Sequence, residues 1–297
     1  MIREYAVEPD VPAQSYRDCS YFLEKFGVEY GRLISRFPGN WKRLVYEAAK
    51  RRHDGMVELS RIEEYLARLK PTVLFASGRP GGDANQPWIS RAITENARMP
   101  FAGIIATTMP ADSQEIWLAS ELDESNVAFR ALGQKHIGRT SDEIVACVRP
   151  LLKCAKLIKL IDPYFKASEP RYGRALAKLL CELGPGTIVE IHRANDALPG
   201  NVRNWFDRAI PPLLSNGICL KIFLHVSSTM HNRFILTDMG GASFHTGLDD
   251  NEGDRRDSTR EDLVTLLSAA VYAAEWDRYA GIPVFAEYRA VAADLRT

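Results

Sequence analysis

The sequence predicts an α/β protein: a layered sheet with helices on both faces in the C-terminal part, preceded by a mainly helical α/β N-terminal domain. Three observations carry this prediction. Hydrophobic residues make up 46% of the 297, enough for one large core or two ordinary ones. From about His136, short apolar runs bounded by turn residues alternate with longer stretches of helical period, the pattern of strands connected by covering helices. Before that point the periodicity is mostly helical. The domain boundaries read from this change are 1–135 and 136–297.

In the N-terminal domain, residues 14–70 predict three short helices near Ser15 to Phe26, Trp41 to Arg52 and Val57 to Leu69, broken by Gly27, Pro38-Gly39 and Gly55. Thr72 to Ala76 and Phe101 to Thr107 suit buried strands. Between them, Ser77-Gly78-Arg79-Pro80-Gly81-Gly82-Asp83 has the glycine content of a phosphate cradle. It lacks the spacing and the terminal Lys-Ser/Thr of a P-loop, which favours a mobile loop. Arg32, Arg36, Trp41, Lys42, Arg43, Lys50, Arg51 and Arg52 mix basic and aromatic residues, as a nucleic-acid surface or a solvated helix face does.

In the C-terminal domain, Ser141 to Ala155 predicts a helix, Leu157 to Ile161 a strand, and Glu169 to Leu183 a helix with Ser168 as N-cap and Gly184 at the C-cap. Thr187 to His192 predicts a strand and Val202 to Leu214 a helix, followed by the turn signal Asn216-Gly217. Ile218 to His225, Arg233 to Thr237 and Gly241 to Thr246 predict further strands. The stretch from Arg260 to Tyr279 admits two readings: Ser258 and Glu261 form a capping box before a helix, or Asp262 to Leu266 pairs as a strand.

Thirty-eight basic and thirty-eight acidic residues cancel, so any polyanion or anionic membrane must be met by a local patch. Five scattered cysteines (Cys19, Cys147, Cys154, Cys181, Cys219) form no C-x2-C pair and suit buried free thiols in a reducing compartment. With no signal-peptide pattern and no apolar run near eighteen residues, the expectation is a cytoplasmic protein without a membrane span.

The segment His231-Asn232-Arg233-Phe234-Ile235-Leu236-Thr237-Asp238 has the spacing H-x-[basic]-x4-D. On a strand His231 and Arg233 share a face. An imidazole beside a fixed cation suits attack on a phosphodiester whose oxygens the cation holds. Arginine binds phosphate in a planar fork and is not equivalent to lysine, so binding survives the exchange better than turnover. A histidine hydrogen-bonded at a strand entrance, with Arg233 and Asp238 pairing, is the plain structural alternative. His192 and Arg193 are candidates for a second phosphate contact, and Asn251 for a third. His225 and His245 are expected in the core or at the rim, and Asp162 before Pro163 as a turn cap that could also line the site. Asp249, Asp250, Glu252, Asp254 and Asp257 do not match an EF-hand loop, so no metal site is expected.

The region from about His136 to Asn251 resembles the phospholipase D-like superfamily, nearest to the C-terminal domain of the MIT-domain cytokinesis proteins. Four stretches carry the resemblance in order: Leu157 to Ile161 running into Asp162-Pro163-Tyr164-Phe165; Leu214-Ser215-Asn216-Gly217; Ser227 to Met230 leading into the motif; and Thr246-Gly247-Leu248-Asp249. The resemblance implies that His231 is a nucleophile forming a phosphohistidine, Arg233 the phosphate-binding cation and Asp238 a support for the histidine, in metal-independent chemistry without cofactor. Because the motif occurs once, it implies a homodimer. It also implies nucleic acid as a candidate substrate and a bacterial antiviral defence setting. The cytokinesis-type domains share His-x-Arg and imply the opposite reading, an inactive module binding a protein partner or an anionic ligand. Gly247-Leu248-Asp249-Asp250-Asn251 stands where active members carry Gly-Ser-x-Asn. The first 135 residues resemble no named family.

Overall fold

The computed structural model describes residues 1–110, 115–123, 125–127, 129–214, 217–251 and 261–290. The chain divides into two compact units, Ile2–Leu132 and Gly133–Thr297.

The N-terminal unit is a five-stranded parallel sheet with helices on both faces. Its elements are β1 (Arg3–Val7), α1 (Tyr16–Leu23), β2 (Arg32–Ser35), α2 (Trp41–Arg52), α3 (Met56–Arg68), β3 (Leu74–Phe75), α4 (Trp88–Arg98), β4 (Gly103–Ala106) and β5 (Ile116–Leu118). The strand order is β3-β2-β1-β4-β5, every pair parallel. The order reverses between β1 and β4, which makes that junction a topological switch point. Alternation along β1 explains the two faces: Tyr5 and Val7 pack with Phe22, Trp41, Val45 and Ile62, and Ala6 with Ile104, Ala92 and Phe101 on the other side.

The three expected helices are present as α1, α2 and α3, but β2 interrupts the stretch 14–70 that reads as helical, and β1 precedes that stretch. Arg32 is the reason β2 hides: its guanidinium is buried and donates to the Phe129 carbonyl at 2.8 Å. Trp41 is likewise buried, its indole N–H donating to the Val7 carbonyl at 2.6 Å, so these two residues do not form the basic and aromatic surface expected. The glycine-rich segment after β3 is pinned rather than loose. Buried Arg79 binds Glu4 at 2.9 Å and Glu95 at 3.2 Å and donates to the Met99 carbonyl.

The C-terminal unit is a mixed sheet of order β13-β9-β8-β7-β10-β11-β12-β6. Its elements are β6 (Gln134–Gly138), α5 (Ser141–Cys154), β7 (Leu157–Ile161), α6 (Pro170–Leu180), β8 (Ile188–Ala194), α7 (Pro199–Ala209), β9 (Cys219–His225), β10 (Phe234–Thr237), β11 (Gly240–Phe244), β12 (Glu261–Leu266), α8 (Ala269–Arg278) and β13 (Ala286–Arg289). β7, β8 and β9 are parallel, and the other neighbours pair antiparallel. Helix α5 is capped by Thr140, whose hydroxyl accepts the Glu143 N–H. Helix α6 begins instead with Pro170 at its first position, so Ser168 is not its cap, and it ends at Leu180 rather than at Leu183. Gly217 adopts φ +84, a left-handed turn that a side chain resists, immediately before β9.

The ambiguous C-terminal stretch resolves into both forms in succession. Glu261–Leu266 is a strand because β11 and β6 flank it and its burial alternates, and the helix waits for Ser268, whose hydroxyl caps α8. Ser258 lies outside the described residues, as do Asn216, Glu252, Asp254 and Asp257. Among the described residues no helix is long and apolar enough to cross a membrane. The cysteines are free thiols, with Cys19 and Cys147 buried but Cys181 exposed, contrary to the expectation of burial throughout.

Candidate active site

The parallel strands β7, β8 and β9 all end on one edge of the C-terminal sheet, at Ile161, Ala194 and His225. Strand β10 runs the opposite way, with Phe234 opposite Ile161, so the residues just before it arrive at this same carboxyl edge. That places His231 and Arg233 together there. They line a groove of about 450 Å3 with Asn232, His245, Ser243 and Thr265.

Arg233 is held in three ways. Its Nη1 donates to the carbonyls of His231 and His245 at 3.4 Å each, and its guanidinium lies 5.4 Å from the centre of the Tyr164 ring. Its Nε is buried without a hydrogen-bond partner among the described residues. The exposed His231 imidazole likewise has none. Close by, Asp162 is buried, with Oδ1 accepting the Tyr164 N–H at 2.9 Å and Oδ2 the Leu248 N–H at 3.0 Å. Burial pushes its carboxyl above the usual range, against the pull of these two N–H groups and of the Arg233 charge. Asp162 therefore caps the turn after β7 and also ties that turn to the segment after β11.

Asp238 is not brought to His231. It stands beyond the other end of β10, where its carboxylate accepts the Lys156 N–H at 3.1 and 3.3 Å. The three steps of strand from Phe234 to Thr237 alone span about 10 Å. Nor do His192 and Arg193 reach the groove. Arg193 is buried, spending its donors on the Ala194 and Phe165 carbonyls and on Asp196. His192, also buried, precedes it on β8 and so faces the other side of the sheet from Arg193, in a polar chain of its own.

That chain joins three strands. Glu190 Oε2 lies 3.2 Å from His192 Nε2, and His192 Nδ1 lies 2.9 Å from His225 Nε2. A carboxylate only accepts, so His192 donates through Nε2, accepts through Nδ1, and receives the His225 Nε2 proton. Lys159 completes the set, 3.9 Å from Glu190 and donating to the Trp276 and Tyr279 carbonyls at 3.0 Å. Burial lowers the pKa of His192, and burial followed by the His192 charge lowers that of His225 to about 4.

The loop after β11 is occupied by internal ion pairs. Asp249 binds Arg139 at 2.7 Å and Arg171 at 3.2 Å. Asp250 accepts the Ser141 N–H and hydroxyl at the start of α5 and lies 3.5 Å from Arg174. Asn251 is buried beside them, its backbone N–H donating to the Arg139 carbonyl at 2.7 Å. Gly247 makes this packing possible, since a Cβ there would stand 2.7 Å from Asp249 Oδ1.

Sequence reasoning passed over Tyr164, the Lys159 chain and the Arg139 pair. A signal existed for the second: Lys159 and Glu190 each interrupt an apolar strand, and they face each other in register.

No family model matches the chain, and no curated protein matches it. Among solved structures, the chain is similar to the phospholipase D family member Nuc from Salmonella typhimurium, with 14% identity over 53% of this chain and 98% of that one, at a TM-score of 0.33. It is similar to TrmBL2, an archaeal chromatin protein, with 15% identity over 49% of each chain and a TM-score of 0.29. The third is polyphosphate kinase from Porphyromonas gingivalis, at 16% identity over 74% of this chain and 41% of that one, with a TM-score of 0.33.

Proposed function

We propose that the C-terminal unit is a phospholipase D-like domain that binds a phosphodiester in the groove of His231 and Arg233 and hydrolyses it through His231. The supporting observation is the meeting of an unengaged imidazole and a guanidinium at one groove on the carboxyl edge of the sheet. Arg233 would neutralise the phosphoryl oxygens while an imidazole nitrogen forms a bond to phosphorus and the P–O bond to the leaving group breaks. The leaving oxygen takes up a proton, and water then attacks the phosphohistidine, which still carries the other ester group, to release a phosphomonoester and restore the imidazole. A second copy of the chain would supply the second histidine that the single motif lacks, and a nucleic acid would supply the diester. The setting that accompanies this reading is cytoplasmic and bacterial, in antiviral defence, and plaque counts with and without the gene test it.

The enzymatic test is hydrolysis of bis-nitrophenyl phosphate and of labelled DNA and RNA by the full chain and by His231→Ala. Activity that His231→Ala abolishes supports the reading; activity that it leaves intact refutes it.

One observation favours a second reading, a binding module without turnover. His231 has no carboxylate to orient it among the described residues, because Asp238 is engaged at the far end of β10. A well-folded protein that binds diesters and cleaves none would establish that reading.

A further inference from the structure

Among the described residues of the C-terminal unit, Tyr164 is the most exposed large aromatic side chain, at 60%, and it stands beside the candidate phosphate-binding cation. Its loop is rigidly built. Asp162 accepts the Tyr164 N–H, the Pro163 carbonyl accepts the Ala194 N–H at 3.1 Å, and the Phe165 side chain is buried while its carbonyl accepts from Arg193. With the backbone fixed at these points, the alternate residues Tyr164 and Lys166 remain accessible. Each belongs to a cation–aromatic pair: Arg233 lies 5.4 Å from the Tyr164 ring, and Lys166 Nζ lies 4.6 Å from the ring of Trp205 on α7. The loop after β7 thus carries Tyr164 against Arg233 and Lys166 against Trp205, whose ring buried Arg193 also approaches at 5.2 Å, at the sheet edge that carries His231.

A strip of this kind matches one polymer chemistry. Single-stranded nucleic acid presents a phosphate and an unstacked base at every step, so cations take the backbone and exposed rings take the bases. A duplex keeps its bases stacked and offers nothing to Tyr164. Lys166 also lies 3.3 Å from Glu169, a surface pair that a phosphate can displace.

We infer that the strip Arg233, Tyr164, Lys166 and Trp205 binds single-stranded nucleic acid, with a base on Tyr164 and the phosphate beside it on Arg233. The inference rests on the proposed phosphodiester site and names its substrate class.

The test is fluorescence anisotropy of the full chain with a labelled oligothymidylate, with a DNA duplex of equal length, and with vesicles carrying anionic lipid. The single strand should bind at least about tenfold more tightly than the duplex. Tyr164→Ala should weaken it about 5- to 150-fold, the range for losing one stacked base, and Tyr164→Phe should restore it. The logarithm of affinity should fall against the logarithm of salt with a slope of about −1.4 for two phosphates, and Lys166→Ala should remove about half of that slope. Equal binding of strand and duplex, preference for vesicles, or an unchanged affinity in Tyr164→Ala overturns the inference. Cleavage separates the two proposals. Hydrolysis of the small diester through His231 without strand preference leaves the function standing and this inference refuted, and tight strand binding without any cleavage does the reverse.

Discussion

Arg233→Ala isolates the cation on which the proposed anion binding depends. What the substitution removes from the free protein is small. The two hydrogen bonds to the His231 and His245 carbonyls are long, at 3.4 Å, and contribute about 0.5 kcal/mol each at most. The contact with Tyr164 contributes about 0.5–1 kcal/mol at a partly exposed site. A loss of about 1–2 kcal/mol lowers the melting temperature of a unit this size by about 2–8 °C and leaves it folded at 25 °C. The bound state loses more. A charge-assisted bond to a phosphate oxygen is worth about 1.5–3 kcal/mol, so affinity for a diester should fall about 10- to 150-fold. Titration of both proteins with a fluorescent dinucleotide at fixed salt, alongside a melting curve of each, measures the two effects separately. Unchanged affinity in a folded Arg233→Ala protein would refute the assignment of Arg233 as the anion-binding group, whatever its effect on melting.

Three further outcomes follow from the geometry. His225 has a folded pKa of about 4 against an ordinary 6.5, so the unfolded chain takes up the proton first as pH falls. The stability it contributes is present above pH 6.5 and lost between 6.5 and about 4; at full strength this is about 3 kcal/mol, and partial exposure reduces it to about 1–2. Urea midpoints across this range should fall less steeply in His225→Gln, and identical slopes would count against the buried pair. Asp249→Ala leaves the buried Arg139 charge without this carboxylate and should cost about 3–5 kcal/mol, lowering the melting temperature by on the order of 10 °C; a shift under about 2 °C contradicts the buried pairing. Iodoacetamide at pH 8 should label exposed Cys181 well before Cys19, whose thiol burial pushes up to about 12, and peptide mass mapping reads the order directly.

The elements that were legible in the sequence are those whose residues agree locally with their tertiary fate. Leu157–Ile161 is apolar enough to announce a buried strand, and α2 spans Trp41–Arg52 as its periodicity indicates. β1 and β2 were not legible because their charges are satisfied at a distance. Glu4 meets Arg79, seventy-five residues away, and Arg32 meets the Phe129 carbonyl, ninety-seven residues away. A local pattern contains neither partner, so neither segment shows the apolar run or alternation of a buried strand. The candidate site divides in the same way. The strand expected to put His231 and Arg233 on one face begins only at Phe234, and the two reach the groove together as near neighbours just before it, whereas the fate of Asp238 depends on which strand lies beside β10, and that of Arg193 on where Asp196 and the Phe165 carbonyl end up.

The arginines of the C-terminal unit also bear on how a chain without net charge would present the proposed anion site. Arg139 and Arg171 share Asp249, Arg174 lies against Asp250, and Arg193 binds Asp196, so each of these cations has its counter-charge at hand. Arg233 is held differently, by two carbonyls and a ring, with Asp162 directing both carboxylate oxygens to backbone N–H groups. A carbonyl orients a guanidinium without cancelling its charge. Arg233 is in this respect like Arg203, which the Phe285 carbonyl and ring hold, but it stands at the mouth of the His231 groove. Recognition built in this way acts at contact range: the rate of encounter with a polyanion should depend weakly on salt, and discrimination should appear in the rate of dissociation.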